Sequence, residues 1–125
     1  QSQKFVYVNA GHPPPLHLQA LTDKPIPDKA SATGPPLGID GGAAYDKKEL
    51  ILNSGDLLLC YTDGITEVFG HENNMLGING LETLLAREFS KPGGRLLDRL
   101  YQSVIDKSNE IALSDDVLLL SIRMR

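Results

Sequence analysis

The sequence has one cysteine, no apolar run long enough to span a bilayer, and no cluster of basic residues, and each shortage removes a class of function. Cys60 lies inside Leu57-Leu58-Leu59-Cys60-Tyr61, so one chain builds neither a disulfide framework nor a cysteine zinc site, and a reducing cytoplasm fits best. A membrane-spanning helix needs about 20 apolar residues, which no stretch here supplies. The opening Gln1-Ser2-Gln3-Lys4 lacks the charged-then-apolar pattern of a signal peptide. The chain also lacks an initiator Met, as expected of a piece excised from a longer protein. With 12 Lys+Arg against 16 Asp+Glu the formal charge is -4, and neither nucleic acid nor an anionic membrane is an expected partner.

What is present suits a folded domain. An apolar fraction of 41% with 22% charged residues is ordinary globular usage and far from the signature of disorder. A chain of 125 residues buries roughly two-thirds of its unfolded surface, enough for one core, so residues 1–125 are read as a single domain.

Phe5-Val6-Tyr7-Val8 predicts a strand, stopped by Gly11-His12-Pro13-Pro14-Pro15 before the alternating strand Leu16-His17-Leu18. Thr22 to Ala44, rich in Pro, Gly, Ala and Asp, predicts a long surface loop. Leu50-Ile51-Leu52 and Leu57 to Tyr61 flank Asn53-Ser54-Gly55-Asp56, a link of hairpin length, which predicts two adjacent antiparallel strands. Beyond Asp63-Gly64 the period changes to that of helices. Leu81, Leu84, Leu85 and Phe89 mark one apolar face; Leu96, Leu97, Leu100, Tyr101, Val104 and Ile105 mark a second. Val117 to Ile122 predicts a closing strand, buried and central. Strands and helices segregated in this order predict an α+β fold with antiparallel sheets.

Two acidic positions lie at ends of apolar strands: Asp63 after Leu57–Tyr61, and Asp115-Asp116 before Val117. Each alone reads more simply as a turn or a solvated loop, Asp-Gly being a common turn dipeptide. Brought together, such carboxylates repel unless a cation bridges them. Oxygen ligands and water suit Mg2+ or Mn2+, whereas zinc favours His or Cys.

Five segments recur in the order of a known family: Val8-Asn9-Ala10-Gly11-His12-Pro13-Pro14-Pro15-Leu16, Pro36-Leu37-Gly38-Ile39, Gly55-Asp56, Tyr61-Thr62-Asp63-Gly64-Ile65-Thr66-Glu67 and Asp115-Asp116-Val117. From about Phe5 to Met124 the chain resembles the sporulation stage II protein E branch of the PPM, or type 2C, serine/threonine protein phosphatases. The resemblance implies a sandwich of antiparallel sheets flanked by helices, with two Mn2+ or Mg2+ ions at one edge that activate water to hydrolyse phosphoserine or phosphothreonine. Asp63 matches the metal ligand of the family's Asp-Gly motif, Asp115 the ligand of its final acidic motif, and Asp116 the position that supports it. His12 is a candidate for touching the substrate phosphate, against the plainer reading that its ring hydrogen-bonds its own loop. Glu67 is either an outer neighbour of the metal site or the start of the next segment, Cys60 a small core residue, and His17 and His71 ordinary surface or strand residues.

The family's upstream Gly-Asp-x-x-Gly-His-Gly motif is absent from this sequence, and Leu118 stands where the family usually has Thr. The chain is therefore expected to be the C-terminal part of a catalytic domain, with half of a two-metal site and no activity by itself. The implied substrate is a phosphorylated regulatory protein such as a bacterial anti-sigma-factor antagonist. The rival is a non-catalytic binding module or pseudophosphatase. Exposed sheet edges lead us to expect a homodimer.

Overall fold

The computed structural model describes residues 2–22, 27–70, 74–108 and 115–125, with residues 27–29 described by their backbone alone. In chain order the elements are β1 (Ser2–Tyr7), β2 (Leu16–Leu18), β3 (Pro27–Lys29), β4 (Lys48–Asn53), β5 (Leu57–Tyr61), a single 3-10 turn (Asp63–Ile65), α1 (Gly77–Phe89), α2 (Leu96–Lys107) and β6 (Leu119–Arg123). β1 pairs with β4; β3, β2, β5 and β6 form a second sheet in that order, and every strand pair is antiparallel. The α+β class with antiparallel sheets is thus observed.

Period-two alternation decides which face of the larger sheet is covered. Leu16 and Leu18 of β2 and Leu57, Leu59 and Tyr61 of β5 are buried against Leu81, Leu84 and Leu85 of α1 and Leu100 and Val104 of α2. Burying each leucine completely contributes about 1.5–3 kcal/mol relative to exposure, so this layer is the main source of stability. The opposite face borders a cavity of about 440 Å³ between the two sheets, lined by Phe5 and Tyr7 of β1, Leu58 and Cys60 of β5 and Ile122 of β6. Burial pushes the Cys60 thiol pKa upward, in keeping with a small packing residue.

Several sequence expectations need correction. β4 and β5 do not pair: β4 belongs to the small sheet and β5 to the large one. The link between them does turn, with Asp56 N–H donating to Asn53 O at 3.0 Å and Gly55 at φ 91. That turn carries the chain around a corner between sheets instead of folding it back on itself. The reason is the Asp56 side chain, wholly buried, which accepts Asn53 N–H and Ala20 N–H, both at 2.8 Å, and His17 Nε2 at 3.0 Å. It ties the corner to β2. His17 is accordingly no surface residue, since it is 2% exposed.

The long loop carries β3 against β2, together with a bridge between Ala10 and Gly34. Residues 23–26 of that loop and His71 lie outside the described residues. The closing strand was expected to be central, yet β6 is the last strand of its sheet among the described residues. Leu118, Leu120 and Ile122 are 59%, 52% and 40% exposed, because α1 and α2 cover only the face that Leu119 shares.

Candidate metal centre

β5 and β6 run antiparallel with Tyr61 opposite Leu119, so the residue after one strand and the residues before the other meet at the same sheet end. Topology alone therefore brings Asp63 beside Asp115 and Asp116. Thr62 fastens the junction. Its backbone N–H donates to Leu118 O at 3.2 Å, its hydroxyl donates to Asp116 O at 3.1 Å, and the same hydroxyl accepts Leu118 N–H at 2.9 Å. Sequence reasoning passed over Thr62, although a hydroxyl residue between a buried strand and an Asp was the available signal.

Asp63 opens the 3-10 turn, and its carbonyl oxygen accepts Thr66 N–H at 2.8 Å, Glu67 N–H at 2.9 Å and the Thr66 hydroxyl at 3.0 Å. The backbone is held three times while the side chain stays exposed. Gly64 is buried for a reason other than turn propensity: a Cβ there would stand 2.6 Å from Asp116 O and 3.3 Å from Asp115 O. Only a residue without a side chain lets the two acidic segments come this close. Gly64→Ala is therefore expected to cost about 1–3 kcal/mol through forced backbone displacement, and to disturb the acidic station more than the core. Thermal denaturation beside a near-UV spectrum checks this, an unshifted melting temperature being the contrary result.

Asp115 and Asp116 are both exposed, and Asp115 Oδ1 accepts Asp116 N–H at 2.7 Å, which orients the first carboxylate along the segment. The donor set is all oxygen, the chemistry that a hard divalent cation prefers. Among the described residues, however, no group of three or more His, Cys, Asp or Glu is gathered closely enough to hold a metal ion. The residues thus suit such an ion in the kind of donor they offer, and by themselves would supply only part of its coordination shell.

His12 occupies a different place, in the loop after β1 on the rim of the apolar cavity. Its backbone N–H donates to Asn9 Oδ1 at 2.9 Å, and Nδ1 lies 2.8 Å from Pro13 O, an arrangement that favours the tautomer with the proton on Nδ1. Asn9, 5% exposed, also donates to His12 O and Ala30 O, at 3.1 and 3.3 Å, so the proline-rich loop is closed by side-chain amide bonds. Glu67 is exposed and lines a groove with Met75, Leu76 and Asn79 beside the start of α1.

Comparison with known proteins agrees with this architecture. The family model for Stage II sporulation protein E (SpoIIE) matches residues 1–125. The chain belongs to the SpoIIE family. It is 28% identical over 122 residues to phosphoserine phosphatase RsbU of Bacillus subtilis, a match covering 98% of this chain and 35% of RsbU. Among solved structures, the RsbU and RsbW domains of Rv1364c from Mycobacterium tuberculosis superpose with a TM-score of 0.74 at 31% identity, over 100% of this chain and 33% of that one. The SiaA-PP2C domain of Pseudomonas aeruginosa shares the fold, with a TM-score of 0.77 at 16% identity over 98% of this chain and 46% of that one. The SpoIIE relationship therefore spans the whole sequence, while the sequence spans about a third of RsbU and of the Rv1364c chain.

Proposed function

We propose that this chain forms part of the catalytic domain of a metal-dependent protein phosphatase that hydrolyses phosphoserine or phosphothreonine on a regulatory protein, such as an anti-sigma-factor antagonist, in the cytoplasm. The observation that supports the reading is the close approach of Gly64 to the backbone of Asp115 and Asp116, which brings the two acidic segments to one sheet end. Asp63, Asp115 and Asp116 would hold Mn2+ or Mg2+, and the bound ions supply a water of lowered pKa and charge neutralisation for the phosphoryl group. The chain's own task is positional. Thr62 fixes the spacing of the two acidic segments, the threefold hydrogen bonding at Asp63 O fixes the turn, and the exposed carboxylates face solvent where a phosphoprotein can reach them.

Among the described residues no group of three or more acidic or imidazole side chains is gathered around one point, and the upstream Gly-Asp-x-x-Gly-His-Gly motif that the family resemblance calls for is missing from this sequence, so the 125 residues alone are expected to be inactive. The test is manganese-dependent hydrolysis of a phosphoserine peptide by this chain alone and by B. subtilis RsbU carrying these residues in place of its matching segment. Activity in the chimera but not in the isolated chain supports the proposal. A folded, inactive chimera overturns it and leaves the binding-module reading, which the incomplete donor set among the described residues favours.

The open side of β6 supports a second expectation, self-association through this strand. Leu118, Leu120 and Ile122 present apolar surface beside a strand edge that no other strand among the described residues pairs, a combination that favours strand-to-strand pairing between copies. Light scattering over a wide concentration range should show a dimer that Leu120→Lys with Ile122→Lys converts to monomer. A monomer at every concentration in the unaltered chain would count against pairing.

A further inference from the structure

The chain's arginines are Arg87, Arg95, Arg99, Arg123 and Arg125, and the fold gathers four of them with Lys91 at one corner, where the end of α1, the start of α2 and the end of β6 meet. β5 separates this corner from the acidic station by its own length, about 13 Å at 3.3 Å per residue. At the centre of the corner is Glu88, 1% exposed. Its Oε1 accepts Arg87 Nε at 3.1 Å, Lys91 Nζ at 2.8 Å and the Ser103 hydroxyl at 3.0 Å, and its Oε2 lies 3.5 Å from Arg99 Nε. The hydrogen bond from Lys91 comes first among the causes that lower the Glu88 pKa to about 2, with Ser103 and Arg87 adding to it against the opposing effect of burial.

One carboxylate at a helix C-terminus calls for a cation, since it faces the negative end of the helix dipole. Here three cations surround it, and two more stand alongside. Arg95 pairs with exposed Asp98 at 3.0 Å and remains 86% exposed, while the Arg123 guanidinium stacks 5.3 Å from the centre of the Phe89 ring. The corner thus sets five cations against two carboxylates in a chain whose formal charge is -4. That excess is more than Glu88 needs, and self-repulsion among the cations opposes folding.

Arg87 and Arg99 are committed to the corner itself: Arg99 donates to Glu88 O at 3.1 Å and to Gly94 O, and Arg87 donates to the Ser103 hydroxyl at 3.0 Å. Arg95 and Arg123 instead border open space. Between Arg95 and Arg123 lies a notch of about 340 Å³, with Leu57 and Leu96 as apolar walls, Ser121 as a hydroxyl at the rim and the exposed Asp98 carboxylate, paired with Arg95, as the one acidic group in its lining among the described residues. Nothing stands within 4 Å of the outward side of Gly93 or Gly94, which leaves the notch open. Arg95 itself adopts a left-handed backbone at φ 64, a conformation that glycine takes freely and arginine only with strain.

We propose that this corner is a docking surface for an acidic segment of a partner protein, engaged by Arg95 and Arg123 across the notch. A nucleic acid fits less well, because its charge continues beyond a patch this small onto the surrounding acidic surface. Docking here is independent of the phosphatase reading, since the surface lies at the other end of β5.

Fluorescence anisotropy of a fluorescein-labelled peptide of alternating Glu and Ser, titrated with the 125-residue chain at low and at physiological salt, tests the assignment. Arg95→Gln with Arg123→Gln should weaken binding by about tenfold or more and flatten its salt dependence, while Lys4→Gln with Lys48→Gln on the smaller sheet should leave it within about twofold. Circular dichroism verifies that both variants fold. Equal weakening by the two pairs, no measurable binding by the unaltered chain, or tighter binding of a single-stranded DNA of matched charge would each overturn the proposal.

Discussion

Asp63→Asn, introduced into RsbU carrying these 125 residues, is expected to lower manganese-dependent turnover of a phosphoserine peptide by at least about 100-fold. Residues that merely support a metal ligand lose about 10–100-fold when altered, and a direct ligand stands at or beyond the top of that range. The substitution keeps the size of the side chain and one oxygen, and removes the negative charge. It leaves the turn intact, because that turn is held by the Asp63 backbone carbonyl and not by its carboxylate. Loss of turnover with an unchanged circular dichroism spectrum, partly restored by raising manganese, is therefore the signature of a weakened metal site. Turnover within a few-fold of the parent chimera would remove Asp63 from the centre and with it the proposal built on the junction of β5 and β6.

The largest effect on stability is expected at Asp56. Asp56→Ala leaves the buried His17 ring and the Asn53 and Ala20 N–H groups without their shared acceptor, and each buried donor left unsatisfied costs about 1–3 kcal/mol. For a domain of this size such a loss lowers the melting temperature by about 10 °C or more, which thermal denaturation of the isolated chain will show.

The pH dependence follows from the same contacts. Burial raises the Asp56 pKa, but the Asn53 and Ala20 N–H groups and the His17 ring outweigh it, and the net value falls below the ordinary 3.8. A carboxyl whose folded pKa is depressed stabilises the fold above its unfolded pKa, and that stabilisation disappears as pH falls through the folded value. The unaltered chain should thus lose this contribution below about pH 4. Asp56→Asn should lack that part of the acid dependence, and an identical acid limb in both proteins would show that Asp56 is not its source.

How much of this was legible depends on the range of the interaction. Apolar periodicity is local, so Leu57–Tyr61 as a strand and the Leu81–Phe89 and Leu96–Ile105 faces as helices could be read directly, and the fold class with them. Placing Asp63 and Asp115 at strand ends followed from the same runs. Strand partnership is not local. The hairpin-length link at Asn53–Asp56 gave no hint that β4 and β5 part into different sheets, because the deciding interaction is between Asp56 and residues of the β2 segment. For the same reason the sequence places His17 as a surface or strand residue without showing that, within its strand, it is buried against Asp56. Val117 to Ile122 reads as a central strand from its apolar content, whereas the burial of a strand depends on what packs against both faces. The cations of the α1–α2 corner are dispersed through the last third of the sequence and form no cluster until the helices pack.

Because β6 follows both helices in chain order, the acidic station cannot form until translation has passed α2. β1, β2, β4 and β5 can pair and the two helices can close over Leu57, Leu59 and Tyr61 while the β5 edge facing β6 is still bare. Thr62 and Gly64 wait for Asp116 and Leu118, their contacts across the junction, until translation has passed both helices. A nascent chain stalled after α2 would present an exposed strand edge and no metal ligands from the final acidic motif, a state exposed to aggregation and to proteolysis before it is exposed to substrate.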